Sequence, residues 1–151
     1  AGAVAPAPAP PVSPVAPVAP GTALAPSPGP RAARSFDDWM SQGDKERERS
    51  RPRLALDAYG KALRMDPSRP EAYVGQGRAL LTLGDSRSAA ASFRRALSIN
   101  PRYSVAEFWL GEAYRRSGQK TEAAAAYGHY LETAPEGAEA GQAREALNGL
   151  P

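Results

Sequence analysis

One spacing dominates this chain. Pro67, Pro101 and Pro135 stand 34 residues apart, and so do Gly43, Gly77 and Gly111. Ala55, Ala89 and Ala123 keep the same step, as do the aromatics Tyr59, Phe93 and Tyr127. Four residue classes held in one register over three copies mean a stack of small units, each burying its apolar face against the next. A chain built this way forms an elongated array rather than a sheet closed on itself.

The registers also specify the unit. The second copy reads Tyr73-x2-Gln76-Gly77-x2-Leu80, then Ala89-x3-Phe93, Ala96 and Asn100-Pro101. The third reads Leu110-Gly111-x2-Tyr114, then Ala123-x3-Tyr127 and Ala134-Pro135. The first reads Trp39-x2-Gln42-Gly43, then Ala55-x3-Tyr59, Ala62 and Asp66-Pro67. About two thirds of the chain thus resembles the tetratricopeptide repeat family, whose 34-residue unit is a helix-turn-helix. The first copy departs from that pattern at Gln42 and Glu46, where Leu and Tyr are usual, and the third at Tyr130, where a small residue is. The resemblance implies an all-α, right-handed solenoid of about seven helices, with repeats near 36–69, 70–103 and 104–137.

The residue types explain themselves physically. Small residues at Gly43, Gly77 and Gly111, met by Ala55, Ala89 and Ala123, let two antiparallel helices approach closely. The aromatics fill the wedge between them. Gly84 and Gly118 supply the positive φ that ends a first helix, and the prolines end each second helix by excluding the preceding residue from helical φ/ψ. Helices are expected over 35–49, 53–65, 70–83, 86–99, 104–117 and 121–133. Pro52 falls in the first turn of the second helix, and Asp37 and Asp38 in the first turn of the first. An Ala-rich segment at 138–148 reads as a final helix, and the resemblance implies that it covers the open edge of the last repeat. Ala140, Ala143 and Leu147 would face inward and give Tyr130 a partner.

Residues 1–34 are different. Ten of the sixteen prolines fall in the first 30 residues, with no aromatic side chain among them. Such a segment lacks backbone donors and core-forming groups, so it is expected to be a disordered linker populating polyproline II. It reads as a spacer rather than as a ligand for proline-binding domains, since Arg31 and Arg34 lie only at its end. The repeat domain is expected over 35–150. The chain begins at Ala1 without an initiator Met, which suits a piece of a longer protein.

The face of each first helix turned to the preceding unit comprises Ala72, Gln76, Ala79 and Leu83 in copy two and Ala106, Leu110, Ala113 and Ser117 in copy three. In copy one it is Asp38, Gln42, Lys45 and Arg49, a polar strip that no repeat could pack upon. The array is therefore expected to start there.

In the family it resembles, first helices line a concave groove where partners bind. At helical spacing the groove-facing set includes Met40, Asp44 and Arg47; Val74, Arg78 and Leu81; Phe108, Glu112 and Arg115, with Trp109 at the edge. Met40, Val74 and Phe108 would form an apolar row, Asp44, Arg78 and Glu112 a row of alternating charge. An exposed Phe and Trp would be binding anchors. Relatives that hold the acidic tails of heat-shock chaperones use Lys, Asn and Arg along this groove. The corresponding places here hold Met40, Asp44, Gly75, Val105 and Trp109, so no carboxylate clamp is expected. The expected partner is a peptide with an apolar anchor and mixed charge, bound by a monomer.

Little else carries chemistry. There is no cysteine and a single histidine, His129, so the usual zinc sites and a Ser-His-Asp constellation lack their parts. No Gly-rich phosphate loop occurs, and neither a catalytic residue, a metal nor a cofactor is expected. The formal charge of +3 is small; Arg47–Arg53, Arg94–Arg95 and Arg115–Arg116 read as solvated helix faces rather than as a nucleic-acid surface. No apolar run reaches the roughly 18 residues of a membrane span. The reading is a non-catalytic interaction module tethered to a larger bacterial signalling or motility protein, cytoplasmic in that case. The alternative is an envelope assembly factor of secretin or pilus type, with the Pro/Ala segment spanning periplasm.

Overall fold

The computed structural model describes residues 2–11 and 32–151. Residues 2–11 are exposed and carry no helix or strand; the expectation for 12–31 lies outside the described residues. From residue 32 onward the chain forms a second compact unit made of seven helices and, among the described residues, no strand. These are α1 (Phe36–Glu48), α2 (Pro52–Met65), α3 (Pro70–Thr82), α4 (Ser86–Ile99), α5 (Ser104–Arg116), α6 (Lys120–Thr133) and α7 (Ala140–Gly149). Six helices pair as three hairpins, each second helix packs on the next first helix, and α7 closes against α6. The arrangement is a helical solenoid. First helices two apart also touch, α1 with α3 and α3 with α5, so together they form one side of the array.

Each helix end has a local cause. Ser35 and Asp38 form a capping box at the start of α1: the Asp38 N–H donates to Ser35 Oγ (3.2 Å) and the Ser35 N–H to Asp38 Oδ2 (2.8 Å). Pro52 and Pro70 occupy the first turns of α2 and α3, where a missing N–H costs nothing. The first helices end in a shared motif. Gly84 and Gly118 have φ of 84° and 78°, and the next N–H reaches back to the carbonyls of Leu80 and Tyr114. Copy one does the same without a glycine: Ser50, in register with Gly84, takes φ 57° and Arg51 N–H bonds the Glu46 carbonyl at 2.8 Å.

The core follows the repeat registers. Ala55, Ala89, Ala123, Tyr59, Phe93 and Tyr127 are wholly buried. The rings lie on the glycines so closely that a Cβ at Gly43, Gly77 or Gly111 would fall 2.5–2.7 Å from ring carbon. Tyr59 is held from the other side as well, since a Cβ at Gly75 would lie 2.6 Å from the same ring. At the far end Tyr130 is buried against Ala140 and Ala143, with Leu147 partly buried beside them. Its hydroxyl donates to Glu139 Oε2 (3.0 Å) and accepts from the Glu139 N–H (3.1 Å). The large residue that breaks the small-residue pattern therefore seats the last helix.

The inter-repeat face is narrower than the spacing suggested. Ala72, Ala79, Ala106, Leu110 and Ala113 are buried, but Leu83 is 40% exposed and Ser117 is exposed, because both lie at helix ends beyond the neighbour's reach. In α1 the equivalents Asp38, Lys45 and Arg49 face solvent.

Candidate functional site

The row at the register of Asp44, Arg78 and Glu112 shows how the repeats build the side shared by the first helices. Tyr59 donates its hydroxyl to Asp44 Oδ1 at 2.7 Å, and Tyr127 donates to Glu112 Oε1. Both tyrosines come from the second helix of the same hairpin, fifteen residues on. In copy two that register holds Phe93, which has no hydroxyl, and its first-helix counterpart is a cation, Arg78. Arg78 turns to the third repeat, its guanidinium 4.6 Å from the centre of the Trp109 ring.

Ion pairs continue along this side. Arg47 reaches Asp44 at 3.6 Å. Arg115 binds Glu112 through two nitrogens, at 3.2 and 2.9 Å, and Arg116 lies 3.7 Å from the same carboxylate. Arg116 also donates to the Leu81 carbonyl at 3.4 Å, linking α5 to α3. Burial works against the Glu112 carboxylate, but the hydrogen bonds from Arg115 and Tyr127 outweigh it and hold its pKa below the ordinary value. Burial and the Asp44 hydrogen bond push Tyr59 up to about 12; burial and Glu112 push Tyr127 the same way.

The expected apolar row needs correction. Val74 is 5% exposed, Leu81 4% and Phe108 2%. Met40 is half-buried against Ala55, Tyr59 and Ala79. First helices two apart are in contact, and side chains between them are covered by their neighbours. Phe108 is a core residue, its ring 5.9 Å from Tyr127, 5.6 Å from Tyr130 and 5.3 Å from Trp109. It is no exposed anchor. What remains accessible is Asp44 and Arg115, with Arg47, Arg78, Trp109 and Glu112 half-buried. This is a charged surface carrying one aromatic face.

Beyond Trp109 the surface deepens into a cleft of about 690 Å³ between α5, the start of α6 and α7. Trp109, Glu112, Arg115 and Arg116 line it from α5, Lys120 from α6 and Glu145 from α7, and Leu150 contributes apolar surface. Sequence reasoning placed α7 only as a cover and missed its part in this cleft. Two acids of the helical unit are buried as well. Glu46 accepts from Gln42 Nε2 at 2.7 Å and sits near Arg49 and Arg51; Glu107 accepts from Thr133 Oγ1 at 2.7 Å. Both replace an apolar or aromatic residue of their register; the departure at Glu46 was legible in the sequence, while that at Glu107, in register with Trp39 and Tyr73, was missed. His129 is exposed at the rim of a smaller hollow of about 300 Å³ between α4, α5 and α6. Among the described residues no cluster of acids and histidine is arranged to hold a metal ion, and no helix is long and apolar enough to cross a membrane.

A tetratricopeptide repeat family profile matches residues 40–104 and again 75–138. The chain belongs to the tetratricopeptide repeat family, a class of helical interaction modules. Among curated proteins it is similar to the small glutamine-rich tetratricopeptide repeat-containing protein 2 of Mycosarcoma maydis, 30% identical over 95 residues. That match takes in 63% of this chain but only 27% of the fungal protein. Among solved structures, the Sgt2 TPR domain from Aspergillus fumigatus superposes with a TM-score of 0.70 at 27% identity, covering 80% of this chain and 81% of that one. The first TPR of Spaghetti (RPAP3), solved bound to the HSP90 peptide SRMEEVD, superposes with a TM-score of 0.71 at 24% identity, over 77% and 93%.

Proposed function

We propose that this chain is a non-catalytic module that binds a peptide segment of a partner protein along its concave side. The observation that carries the reading is the Arg78–Trp109 stack, an aromatic face and a cation presented together on first helices of successive repeats. Asp44, Arg47, Glu112 and Arg115 flank it with charge of both signs, which suits a peptide with an apolar anchor and mixed charge. The cleft beyond Trp109 offers room for one large side chain.

Fold neighbours that hold chaperone peptides support peptide binding as such. Their acidic ligand is not carried over to this chain. The places that would need Lys, Asn and Arg hold Met40, Asp44, Gly75, Val105 and Trp109, so SRMEEVD is expected to show no saturable binding. The Pro/Ala-rich residues 1–34 support a tether to a larger protein, and the Ala, Pro, Arg and Gly usage supports a bacterial signalling or motility context.

Display selection of random peptides on the wild-type protein, followed by titration of the selected sequences, tests the site. Trp109→Ala and Arg78→Glu should each weaken binding about tenfold or more, the loss expected of a stacked aromatic or a charge contact. Undiminished affinity in both variants would rule out the concave side.

A further inference from the structure

The charges at the Asp44, Arg78 and Glu112 register are not equally satisfied. Asp44 has the Tyr59 hydroxyl and Arg47, and Glu112 has Tyr127, Arg115 and Arg116. Among the described residues Arg78 has no carboxylate within ion-pair distance and its guanidinium makes no hydrogen bond. Its one close partner is the Trp109 ring, 4.6 Å from the guanidinium carbon to the ring centre, which offers no oxygen acceptor to the guanidinium N–H groups. Burial, and then the neighbouring charge of Arg47, lower the Arg78 pKa from the ordinary arginine value. A half-buried cation beside another cation is a cost that an incoming anion would remove. Arg47 lies close enough for its charge to act on Arg78, and its terminal nitrogen reaches Asp44 at only 3.6 Å, so it adds positive potential where that anion would sit.

We infer that the N–H edge of Arg78, with Arg47 beside it, seats an Asp or Glu side chain of the bound peptide, while Trp109 receives the apolar residue next to it. This rests on the concave-side reading above and adds the chemistry of one subsite. The occupant is an internal acidic residue, not a chain terminus. Arg78 belongs to the middle repeat, and the surface continues past it toward Asp44 on one side and toward the Trp109 cleft on the other. A fixed, stacked guanidinium favours the planar, two-point recognition that a carboxylate accepts.

The test uses the full 151-residue chain and C-terminally amidated fluorescent octapeptides, each with one Leu or Phe beside a central Glu, Gln or Lys. Glu peptides are expected to bind about tenfold tighter than their Gln counterparts, and Lys peptides weaker than either. Arg78→Gln, shown by circular dichroism to be folded, should bring the Glu-to-Gln ratio to about one while leaving weak binding that Trp109→Ala removes. A ratio that survives Arg78→Gln would overturn the inference. So would tight binding confined to peptides with a free terminal carboxylate, or equal binding of Glu and Gln peptides by the wild type; both leave the concave side standing as a peptide site. If no peptide shifts backbone amide resonances of α1, α3 or α5, the concave-side reading itself falls.

Discussion

The Tyr59 hydroxyl donates to Asp44 across the first hairpin at 2.7 Å, and the same pair recurs as Tyr127 and Glu112 in the third. A wholly buried ring thereby satisfies its hydroxyl with a carboxylate from the facing helix. Tyr59→Phe and Tyr127→Phe should each cost about 1.5–3 kcal/mol in urea unfolding, the net worth of a hydrogen bond to a charged group. The pH dependence follows from the same pairs. Tyr59 is raised from an ordinary value of about 10 to about 12, so its contribution is complete below pH 10 and is lost as pH climbs to about 12. Glu112 is lowered, so its contribution is present above the ordinary carboxylate pKa and is lost as pH falls below it. Melting temperatures of the wild type and Tyr59→Phe measured from pH 9 to 12 should converge.

Ser50 holds φ 57° where its repeat equivalents are glycine. A left-handed conformation costs a residue with a Cβ roughly 1–2 kcal/mol, partly offset by the greater freedom of an unfolded glycine. Ser50→Gly should therefore stabilise the protein by about 0.5–1 kcal/mol, read as a higher denaturant midpoint with an unchanged slope.

Gly77 presses on the Phe93 ring, with space for no further carbon. Alanine would gain about 1 kcal/mol of helix propensity in an open helix. Here it must displace a fully buried ring, and the expected net result of Gly77→Ala is a loss of about 1–3 kcal/mol. An unchanged melting temperature would mean the helices separate more readily than their packing suggests.

Phe108 and Trp109 are neighbours with opposite expected phenotypes. Phe108→Ala opens a cavity between Tyr127 and Tyr130 and should cost about 3–5 kcal/mol. Trp109→Ala should cost clearly less in stability and act mainly on peptide affinity. Chemical denaturation and peptide titration of both variants separate the two roles.

Deleting residues 137–151 would uncover Tyr130, remove the Glu139 partner of its hydroxyl and expose the Phe108 cluster. The truncated chain should melt at lower temperature and self-associate, seen by light scattering. Unchanged stability and solubility would show that α7 is not a cover.

The solenoid was legible because its determinants are local or periodic. The prolines, the Gly84 and Gly118 turns and the 34-residue alternation of small and aromatic residues each leave a mark that one copy repeats for the next. Helix limits differed from expectation by a residue or two, where capping hydrogen bonds decide. The site was less legible. Helical spacing assigned Met40, Val74 and Phe108 to one face of their helices but gave no measure of how closely α1, α3 and α5 approach. That approach decides whether such residues line a surface or fill a core. Arg78 and Trp109 were assigned to the concave side and its edge, but their pairing depends on the offset between repeats, which one sequence does not encode visibly. The acid at Asp44 and Glu112 was seen as charge; its link to the tyrosine fifteen residues on required coordinates.

The substantial contacts in the helical unit join only helices that are next or next but one along the chain. Nothing of that weight ties α1 to α6 or α7, so tension applied at the two ends is resisted by a series of short interfaces and by no single clasp. Where each hairpin contacts only its neighbours, small rotations at successive hairpins would add along the array and change its curvature without breaking any one core. A ligand that bridges Arg47 to Arg115 would act as a brace across those turns, and stiffness, measured by pulling on the ends, would report its arrival.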